Sequence, residues 1–463
     1  MTLIKSISGI RGTIGGMPGE GLSPLDIVRF ASAYGTWVRR TTGEARPKVV
    51  IGRDARSSGP MLNALVSGSL AGTGIDVIDL GWAATPTVEI AVTGEKADGG
   101  IILTASHNPE EWNALKLLNA RGEFVSSQDG EAILEIADQE QYLFEGVQGL
   151  GSVSLLEGYG QRHIDKIKQL DLVDIPAITS AGFRVAIDCV NSVGGLVLPD
   201  LLRSLGVREI IELYCEPTGR FPHNPEPLPD NLNDLSEAVI KNNADVGFAV
   251  DPDVDRLAIV NEDGSMFGEE YTLVAVADYV LQHRKGSAVS NLSSTRALKD
   301  VTLGHGCNYY AAAVGEVNVV ELMKRHRAVI GGEGNGGVIY PALHHGRDAL
   351  AGIALFLSHL ARKRVPCSDL RKSYPDYTIV KRRMDLPAGM DLMPVFDRLE
   401  QQYPESQCDR TDGLKLDFDD GWIHLRKSNT EPIIRIYAES VNAEKADALA
   451  AMMIRSLSEA IGR

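Results

Sequence analysis

A serine with several polar neighbours follows an apolar segment near residue 100. Residues 104–109 read Thr-Ala-Ser-His-Asn-Pro and come directly after the apolar run 101–103. Ser106 is a hydroxyl nucleophile that needs activation, and His107 beside it or Lys116 ten residues later could move the proton. The same residue types also form ordinary turns. The pattern alone therefore leaves a reactive serine and a plain turn open.

Three aspartates alternate in a loop that follows another apolar run. The run 246–250 leads into Asp-Pro-Asp-Val-Asp-Arg at residues 251–256. Carboxylates at alternate positions can aim hard oxygen ligands at one point, which suits Mg²⁺. A calcium-binding EF-hand is the rival interpretation, but Arg256 occupies the sixth loop position, where that motif needs glycine. We therefore predict a Mg²⁺ loop, with the ligands Asp251, Asp253 and Asp255.

A glycine-rich segment at residues 331–337 reads Gly-Gly-Glu-Gly-Asn-Gly-Gly. Glycines let the backbone approach a ligand closely, and Glu333 and Asn335 could hydrogen-bond the hydroxyls or the amine of a sugar. The segment has the spacing of neither a Walker loop nor a dinucleotide-binding fingerprint. A glycine-rich turn without a ligand is an equally good interpretation of this segment by itself.

A polar, basic segment near the C-terminus could bind an anion. Residues 426–432 read Arg-Lys-Ser-Asn-Thr-Glu-Pro, and Arg435 lies just beyond. Hydroxyl and backbone N–H groups can form a small anion cradle, to which Arg426 would add a bidentate contact. A polar hairpin loop is the alternative. The other basic candidates are Arg11, Arg53 and Arg56.

The overall charge makes a local cluster of cations necessary for any phosphate ester. The 463 residues include 46 Lys and Arg against 62 Asp and Glu, a net charge of -16. Such a surface repels nucleic acids and anionic membranes, so we expect neither as a partner. No run reaches the about 18 apolar residues that cross a bilayer, and the N-terminus lacks the apolar core of a secretory signal. We therefore expect a cytoplasmic enzyme. The five scattered cysteines indicate neither a disulfide framework nor a zinc site.

The elements that must position these segments alternate between buried strands and helices. Such alternation is typical of βαβ units with mostly parallel sheets, in which ligand groups lie beyond the C-terminal ends of the strands. From about residue 372 the strands mix polar with apolar residues, which predicts a separate α+β domain. Apolar runs predict strands at 49–52, 101–104, 185–188, 246–250 and 328–331, and helical patterns cover 25–39, 61–73, 273–284 and 443–459.

Taken together, the four segments resemble the α-D-phosphohexomutase family over essentially the whole chain. The stretches Ser-Gly-Ile-Arg-Gly at 8–12 and Gly-Arg-Asp-x-Arg-x-Ser at 52–58 are also similar. The resemblance implies an α/β fold in which three related α/β domains with mixed sheets and a C-terminal α+β (TATA-box-binding-protein-like) domain surround one cleft. The phosphoserine, metal, sugar and phosphate loops would lie, in that order, in domains at 1–155, 156–258, 259–371 and 372–463.

The resemblance also implies an isomerase that works by phosphoryl transfer. Ser106 would carry the phosphoryl group as phosphoserine, and Mg²⁺ would bind Ser106 together with the three aspartates. Glucose or glucosamine 1,6-bisphosphate would be the intermediate or activator. The implied catalytic residues are Ser106, Lys116, His107, Arg11 and Arg256. The implied substrate-binding residues are Glu333, Asn335, Arg426, Ser428, Asn429, Thr430 and Arg435.

The glycine-rich segment bears on the choice of sugar. In many members of the family it reads Gly-Glu-x-Ser-Gly-His, whereas here Asn335 and Gly337 replace the serine and the histidine. The version with asparagine, and the segment 313–319, are similar to phosphoglucosamine mutases. We therefore expect interconversion of glucosamine 6-phosphate and glucosamine 1-phosphate, with glucose or mannose phosphates as the alternative substrates.

Two other functions are compatible with the same residues. A phosphatase could use Ser106 and the aspartate loop with water as the acceptor, and it would release inorganic phosphate in excess over isomerised sugar. A sugar-phosphate sensor could be built on an inactive mutase scaffold, but such proteins usually lose the nucleophile or the metal carboxylates, which are present here. We expect an enzyme acting on hexose phosphates as a monomer or homodimer.

Overall fold

The computed structural model describes residues 2–6, 9–387, 389–428 and 432–461. Within these residues the strands form four sheets, of seven, four, four and five strands. None of the described helices is both long enough and apolar enough to cross a membrane.

The first unit is built on the seven-stranded sheet. Its strands are β1 (Ile4–Ser6), β2 (Gly9–Thr13), β3 (Lys48–Arg53), β4 (Asp76–Trp82), β5 (Gly99–Leu103), β6 (Trp112–Asn119) and β7 (Val153–Leu155). Its helices are α1 (Pro24–Thr42), α2 (Gly59–Gly72), α3 (Thr85–Gly94) and α4 (Ser127–Asp138). The strand order is β1-β2-β6-β5-β3-β4-β7, with parallel pairs from β5 to β7 and antiparallel pairs from β1 to β5. Ser23 is the N-cap residue of α1 and forms a capping box with Asp26.

The second and third units repeat one four-stranded pattern. The second has α5 (Tyr159–Lys168), α6 (Ile175–Ala181), β8 (Arg184–Asp188), α7 (Gly194–Ser204), β9 (Glu209–Leu213), α8 (Asn233–Lys241), β10 (Val246–Val250) and β11 (Leu257–Asn261). The third has α9 (Glu269–His283), β12 (Ala288–Asn291), α10 (Arg296–Gly304), β13 (Tyr309–Ala312), α11 (Glu316–His326), β14 (Ile330–Glu333), β15 (Gly337–Ile339), α12 (Ala349–Lys363) and α13 (Cys367–Lys372). Each sheet has three parallel strands and one antiparallel edge strand, β11 or β15. The expected mixed sheets are confirmed.

The C-terminal unit is an antiparallel sheet with helices, which confirms the α+β prediction. It has β16 (Thr378–Asp385), α14 (Met393–Gln402), β17 (Gln407–Asp409), β18 (Leu414–Phe418), β19 (Gly421–Lys427), β20 (Ile433–Ser440) and α15 (Ala443–Ala460). The strand order is β16-β20-β19-β18-β17. The sequence prediction missed α14 and β17, because a helix of ten residues and a strand of three give only a short periodic signal.

Packing between the second and third units brings two functional segments together. The largest apolar cluster contains residues of both units. Phe356 of α12 packs between Phe248 of β10 and Phe267, at ring-centroid distances of 6.0 and 5.2 Å. Asp348 caps α12 by accepting hydrogen bonds from the backbone N–H groups of Leu350 and Ala351. The start of α12 contacts the loop that follows β10, because the N–H of Ala349 donates to the carbonyl oxygen of Val254 at 3.3 Å.

The glycine-rich segment differs from the predicted loop after a strand at 328–331. The strand β14 begins at Ile330 and continues to Glu333, and the segment turns directly into β15. Gly331 and Glu333 pair with Ile339 and Gly337 across this hairpin. The prediction ended the strand too early because glycine has a low strand propensity, whereas here the cross-strand ladder holds these glycines extended.

Candidate active site

Ser106 lies just past the end of β5 and points at the aspartate loop of the second unit. Its Oγ donates a hydrogen bond of 2.6 Å to Asp251 Oδ2 and lies 3.3 Å from His107 Nδ1. The residue has a backbone φ of +50°, in the left-handed region that costs a non-glycine residue about 1 kcal/mol. Surrounding contacts must therefore hold this loop in place.

Arg56 is the main support of that loop. Its side chain is fully buried and also pairs with Asp54 at 3.0 Å. The sequence suggested Arg56 as a candidate phosphate-binding cation, but in the structure its N–H groups donate to protein atoms. The guanidinium donates to four carbonyl oxygens of the serine loop, those of Ser106, Asn108, Pro109 and Trp112, at 2.6, 2.6, 2.5 and 3.1 Å.

The three aspartates of the loop between β10 and β11 are fully buried and face one another. One oxygen from each of Asp251, Asp253 and Asp255 lies within 4.8 Å of the others. Burial and the charges of Asp255 and Asp253 raise the pKa of Asp251. The Oδ1 atoms of Asp253 and Asp255 are buried and accept no hydrogen bond from a described residue. Three converging carboxylates with unpaired oxygens fit a divalent cation with oxygen ligands.

Lys116 joins this cluster from β6 of the first sheet. Its Nζ lies 2.7 Å from Asp253 Oδ2 and 3.7 Å from Asp255 Oδ2, and Thr85 Oγ1 donates to the same Asp253 oxygen at 2.6 Å. Burial alone would lower the pKa of Lys116, but the two carboxylates outweigh it and raise that pKa above its usual value. Lys116 is therefore an ammonium that can donate a proton within the cluster.

A cavity of about 350 Å³, the serine cavity, opens above Ser106 and is rich in cations. Burial, with the charges of Arg256 and Arg435, lowers the pKa of Arg11. Burial and Arg256 also lower the pKa of His107, to about 3, so this imidazole is neutral at pH 7. The buried Nε atoms of Arg11 and Arg256 have no hydrogen-bond partner among the described residues. Such unpaired donors, crowded by like charge, fit a bound anion.

Arg347 completes the wall of the serine cavity, and the sequence analysis missed it. It lies in the segment between β15 and α12, and its guanidinium forms ion pairs with Asp255 at 2.7 Å, Glu333 at 3.1 Å and Glu316 at 3.1 Å. Burial lowers its pKa, but these three carboxylates raise it well above the usual value. Its only sequence signal was its place one residue before the N-cap of α12, Asp348.

Glu333 borders both the serine cavity and a second, adjoining cavity of about 160 Å³, the arginine cavity. Its Oε1 accepts hydrogen bonds from Asn291 Nδ2 at 2.9 Å and Gly315 N at 3.2 Å. Asn335 lines the arginine cavity, and its Oδ1 accepts from Gly337 N at 3.2 Å. The buried Asn291 and the half-buried Glu270 also line this cavity, and neither belonged to a recognisable motif.

The C-terminal unit supplies the opposite wall of the arginine cavity. Arg426 of β19 and Arg435 of β20 are directly paired across the two strands, and both line the cavity. Arg426 Nε forms an ion pair of 2.8 Å with Asp412. Ser428 is buried and its N–H donates to the carbonyl oxygen of Ile433. Two predicted cradle residues, Asn429 and Thr430, lie outside the described residues.

The structure thus brings the predicted residues of all four segments to two adjoining cavities. Ser106, His107, Lys116, Arg11 and Arg256 surround the serine cavity, and Asp251 bonds Ser106 from beneath it. Glu333, Asn335, Arg426 and Arg435 surround the arginine cavity. Among the described residues, Ser428 lines neither cavity, and Asp251, Asp253 and Asp255 lie behind the wall of the serine cavity, in contact with Ser106 and Lys116.

Comparison with known families covers nearly the whole chain. Profiles described as phosphoglucomutase/phosphomannomutase alpha/beta/alpha domains I, II and III match residues 3–143, 161–264 and 268–377. A profile of the C-terminal domain of the same family matches residues 377–456. The four matches follow one another in the order in which the four sheets occur along the chain.

Individual relatives agree with this match. A phosphoglucomutase/phosphomannomutase from Thermococcus kodakarensis is 35% identical, over 97% of this chain and 98% of that protein. A probable phosphoglucosamine mutase from Methanopyrus kandleri is 33% identical, over 95% and 94%. A crystal structure of a phosphoglucomutase/phosphomannomutase family protein from Burkholderia thailandensis has a TM-score of 0.85 and 26% identity, and it covers 99% of this chain and 98% of that one. The first two carry different sugar names at nearly equal identity.

Proposed function

The chain belongs to the phosphoglucomutase/phosphomannomutase family, and on that premise we propose that it interconverts glucosamine 6-phosphate and glucosamine 1-phosphate. The reaction class follows from the family: the protein is a phosphohexomutase, an isomerase that moves a phosphoryl group within a hexose phosphate. The single observation that supports roles for individual residues is the hydrogen bond of 2.6 Å between Ser106 Oγ and Asp251, which joins the first and second units beneath the serine cavity.

Ser106 is the phosphoryl carrier in this proposal. Its position at the base of the cavity exposes Oγ to a substrate beneath the cations Arg11 and Arg256. Asp251, Asp253 and Asp255 would hold Mg²⁺, because their unpaired, buried oxygens match its oxygen preference. When bound, Mg²⁺ would neutralise charge on the transferred phosphoryl group.

The proposed reaction has two transfers. The free hydroxyl of the sugar phosphate attacks the phosphorus of phosphorylated Ser106, and the bond from phosphorus to Ser106 Oγ breaks. The hydroxyl proton reaches Ser106 Oγ by way of Lys116, whose ammonium donates one proton and regains another. The resulting bisphosphate turns over in the cleft, and the reverse sequence of bond changes returns its other phosphoryl group to Ser106.

The arginine cavity would hold the end of the substrate that is not reacting. Arg426 and Arg435 are suited to the second phosphate, because guanidinium groups bind phosphate in a bidentate manner. Glu333 and Asn335 would bind the sugar between the two phosphates. His107, neutral and beside Ser106, would contact the reacting phosphoryl group as a hydrogen-bond partner.

The charges around the sugar position favour an amino sugar. Three carboxylates line the two cavities, those of the half-buried Glu270 and of the buried Glu316 and Glu333, and Arg347 forms ion pairs with Glu316 and Glu333. An ammonium group on the sugar could form an ion pair with one of these carboxylates, whereas a hydroxyl could not. Glucose or mannose phosphates are the second candidates, because the relative from T. kodakarensis is named phosphoglucomutase/phosphomannomutase.

A side-by-side measurement of kcat/KM on glucosamine, glucose and mannose 6-phosphates tests the proposal, with 1,6-bisphosphate and Mg²⁺ supplied. We expect glucosamine phosphate to lead by about tenfold or more, as one buried ion pair can provide. A lead for glucose or mannose phosphate would refute the proposed sugar. Inorganic phosphate released in excess over isomerised sugar would instead identify a phosphatase.

A further inference from the structure

We propose that Arg347 is a positioning residue that sets the orientation of the sugar-binding carboxylate Glu333 and ties it to the aspartate loop. This inference rests on the proposed function for the role of Glu333. The guanidinium of Arg347 pairs at once with Glu333, with Asp255 and with Glu316. These three carboxylates come from three different segments, so one side chain joins the proposed sugar site to the proposed metal site.

The geometry of Arg347 leaves it little freedom. Its side chain is about one-tenth exposed, and its backbone N–H donates to Glu316 Oε1 at 3.0 Å. The residue that follows it, Asp348, caps α12, and α12 packs on the second sheet through Phe356. A buried arginine with three ion pairs and a fixed backbone does not change rotamer without breaking several of them.

Gly337 provides independent support for the position of Arg347. A Cβ atom at residue 337 would overlap Cδ of Arg347, and it would lie 3.0 Å from Cγ of Arg347 and 3.1 Å from Oδ1 of Asn335. The arginine stem therefore fills the space that a side chain at residue 337 would need. Because residue 337 is glycine, the stem of Arg347 can pack directly against the hairpin.

The contact can be perturbed without changing any charged group. Gly337→Ala adds one methyl group against the stem of Arg347, and because the guanidinium is held by three carboxylates, the strain must displace these ion pairs. Arg347→Ala removes the obstacle. Arg347→Lys keeps the positive charge but cannot reach three carboxylates with one ammonium. Arg325→Ala, in the exposed last turn of α11, serves as the control.

Two measurements test the inference. In the first, unfolding free energies of the two single alanine variants and the double variant form a double-mutant cycle. We expect Gly337→Ala to be destabilising in the natural chain and nearly neutral in the Arg347→Ala background. An additive cycle would overturn the contact, and this result does not depend on which sugar, if any, the enzyme isomerises.

In the second, kinetics are measured on the hexose phosphate that the natural enzyme uses best. We expect Arg347→Lys and Gly337→Ala to lower kcat/KM by about tenfold or more and to reduce the ratio between amino and neutral sugars. Arg325→Ala should leave both kcat/KM and this ratio unchanged. An unchanged ratio between amino and neutral sugars in Arg347→Lys and Gly337→Ala would show a merely structural role and overturn the inference. If the natural enzyme had no mutase activity, the proposed function would be refuted. The double-mutant cycle would still test the contact between Gly337 and Arg347.

Discussion

The serine cavity and the arginine cavity differ in how firmly their functional groups are held. Around the first, Asp251, Asp253 and Asp255 are fully buried, and the exposed fraction of Ser106 is 7%. Around the second, Arg435 is exposed and the Arg426 side chain is 25% exposed. Ser106 and the aspartates lie in loops that follow strands of mixed sheets. Arg426 and Arg435 lie on two paired strands of an antiparallel sheet.

This difference matches what the proposed function requires of each cavity. Phosphoryl transfer requires the attacking and leaving oxygens in line, and a misplacement of 1 Å can cost about a hundredfold in rate. The second phosphate has only to be held, and it must be accepted from either end of the sugar. Phosphate is nearly symmetric, so partly exposed arginines can bind it in both orientations. Rigidity is therefore concentrated where bonds change.

The largest expected effect is at the serine cavity. Ser106→Ala should lower kcat by about 10⁴-fold or more, because the phosphoryl carrier is lost, while sugar-phosphate binding persists. Steady-state isomerisation assays measure the loss of kcat, and calorimetry measures the sugar-phosphate binding that persists. Ser57→Ala, an exposed serine near Arg56, is the matched control. Undiminished isomerisation by the Ser106 variant would exclude its assigned role.

Removal of the divalent cation comes next. Chelation should lower kcat by about 10³-fold, since three buried carboxylates would then repel the incoming phosphate. Added Mg²⁺ should restore the rate and raise the melting temperature, because the ion binds only the folded chain. Asp253→Asn should abolish the Mg²⁺-dependent rise, whereas Asp263→Asn in an exposed turn should keep it. If chelators left the rate unchanged, the proposed metal site in the aspartate loop would be refuted.

The support of the serine loop should have a smaller but still large effect. Arg56→Lys cannot donate to four carbonyl oxygens, so we expect kcat to fall about a hundredfold and the unfolding free energy to fall by about 3 kcal/mol. Arg53→Lys, three residues earlier and partly exposed, is the control. If Arg53→Lys and Arg56→Lys had equal effects on kcat, the serine loop would not depend on Arg56.

The smallest expected effect is at the arginine cavity. Arg435→Lys should raise KM about tenfold and change kcat by less than about threefold, because it weakens a contact present in both ground and transition states. Arg382→Lys, on the neighbouring strand and paired with Asp447 at the surface, should leave both constants unchanged. If Arg435→Lys lowered kcat as much as Arg56→Lys does, the two cavities would not differ in the way proposed here.

Much of the site could be predicted from the sequence because its chemistry lies in short local runs. Ser106 and the alternating aspartates follow apolar strands, and strand ends are where ligand groups lie in α/β sheets. Arg347 could not be predicted in this way, since it acts on Asp255 and Glu333 from 92 and 14 residues away. Arg56 was misjudged for the same reason: its residue type suggested an anion, and only its burial revealed four carbonyl acceptors.

The sequence by itself determined the alternation of strands and helices, the α+β character of the C-terminal unit, and the residues that could react. These follow from local periodicity and from the chemistry of neighbouring side chains. Only the tertiary structure decided which cationic side chains face the cavities and which bind oxygen atoms of the protein itself. Burial and partner geometry control that choice, because a buried charge must be paired and the partner can come from any part of the chain.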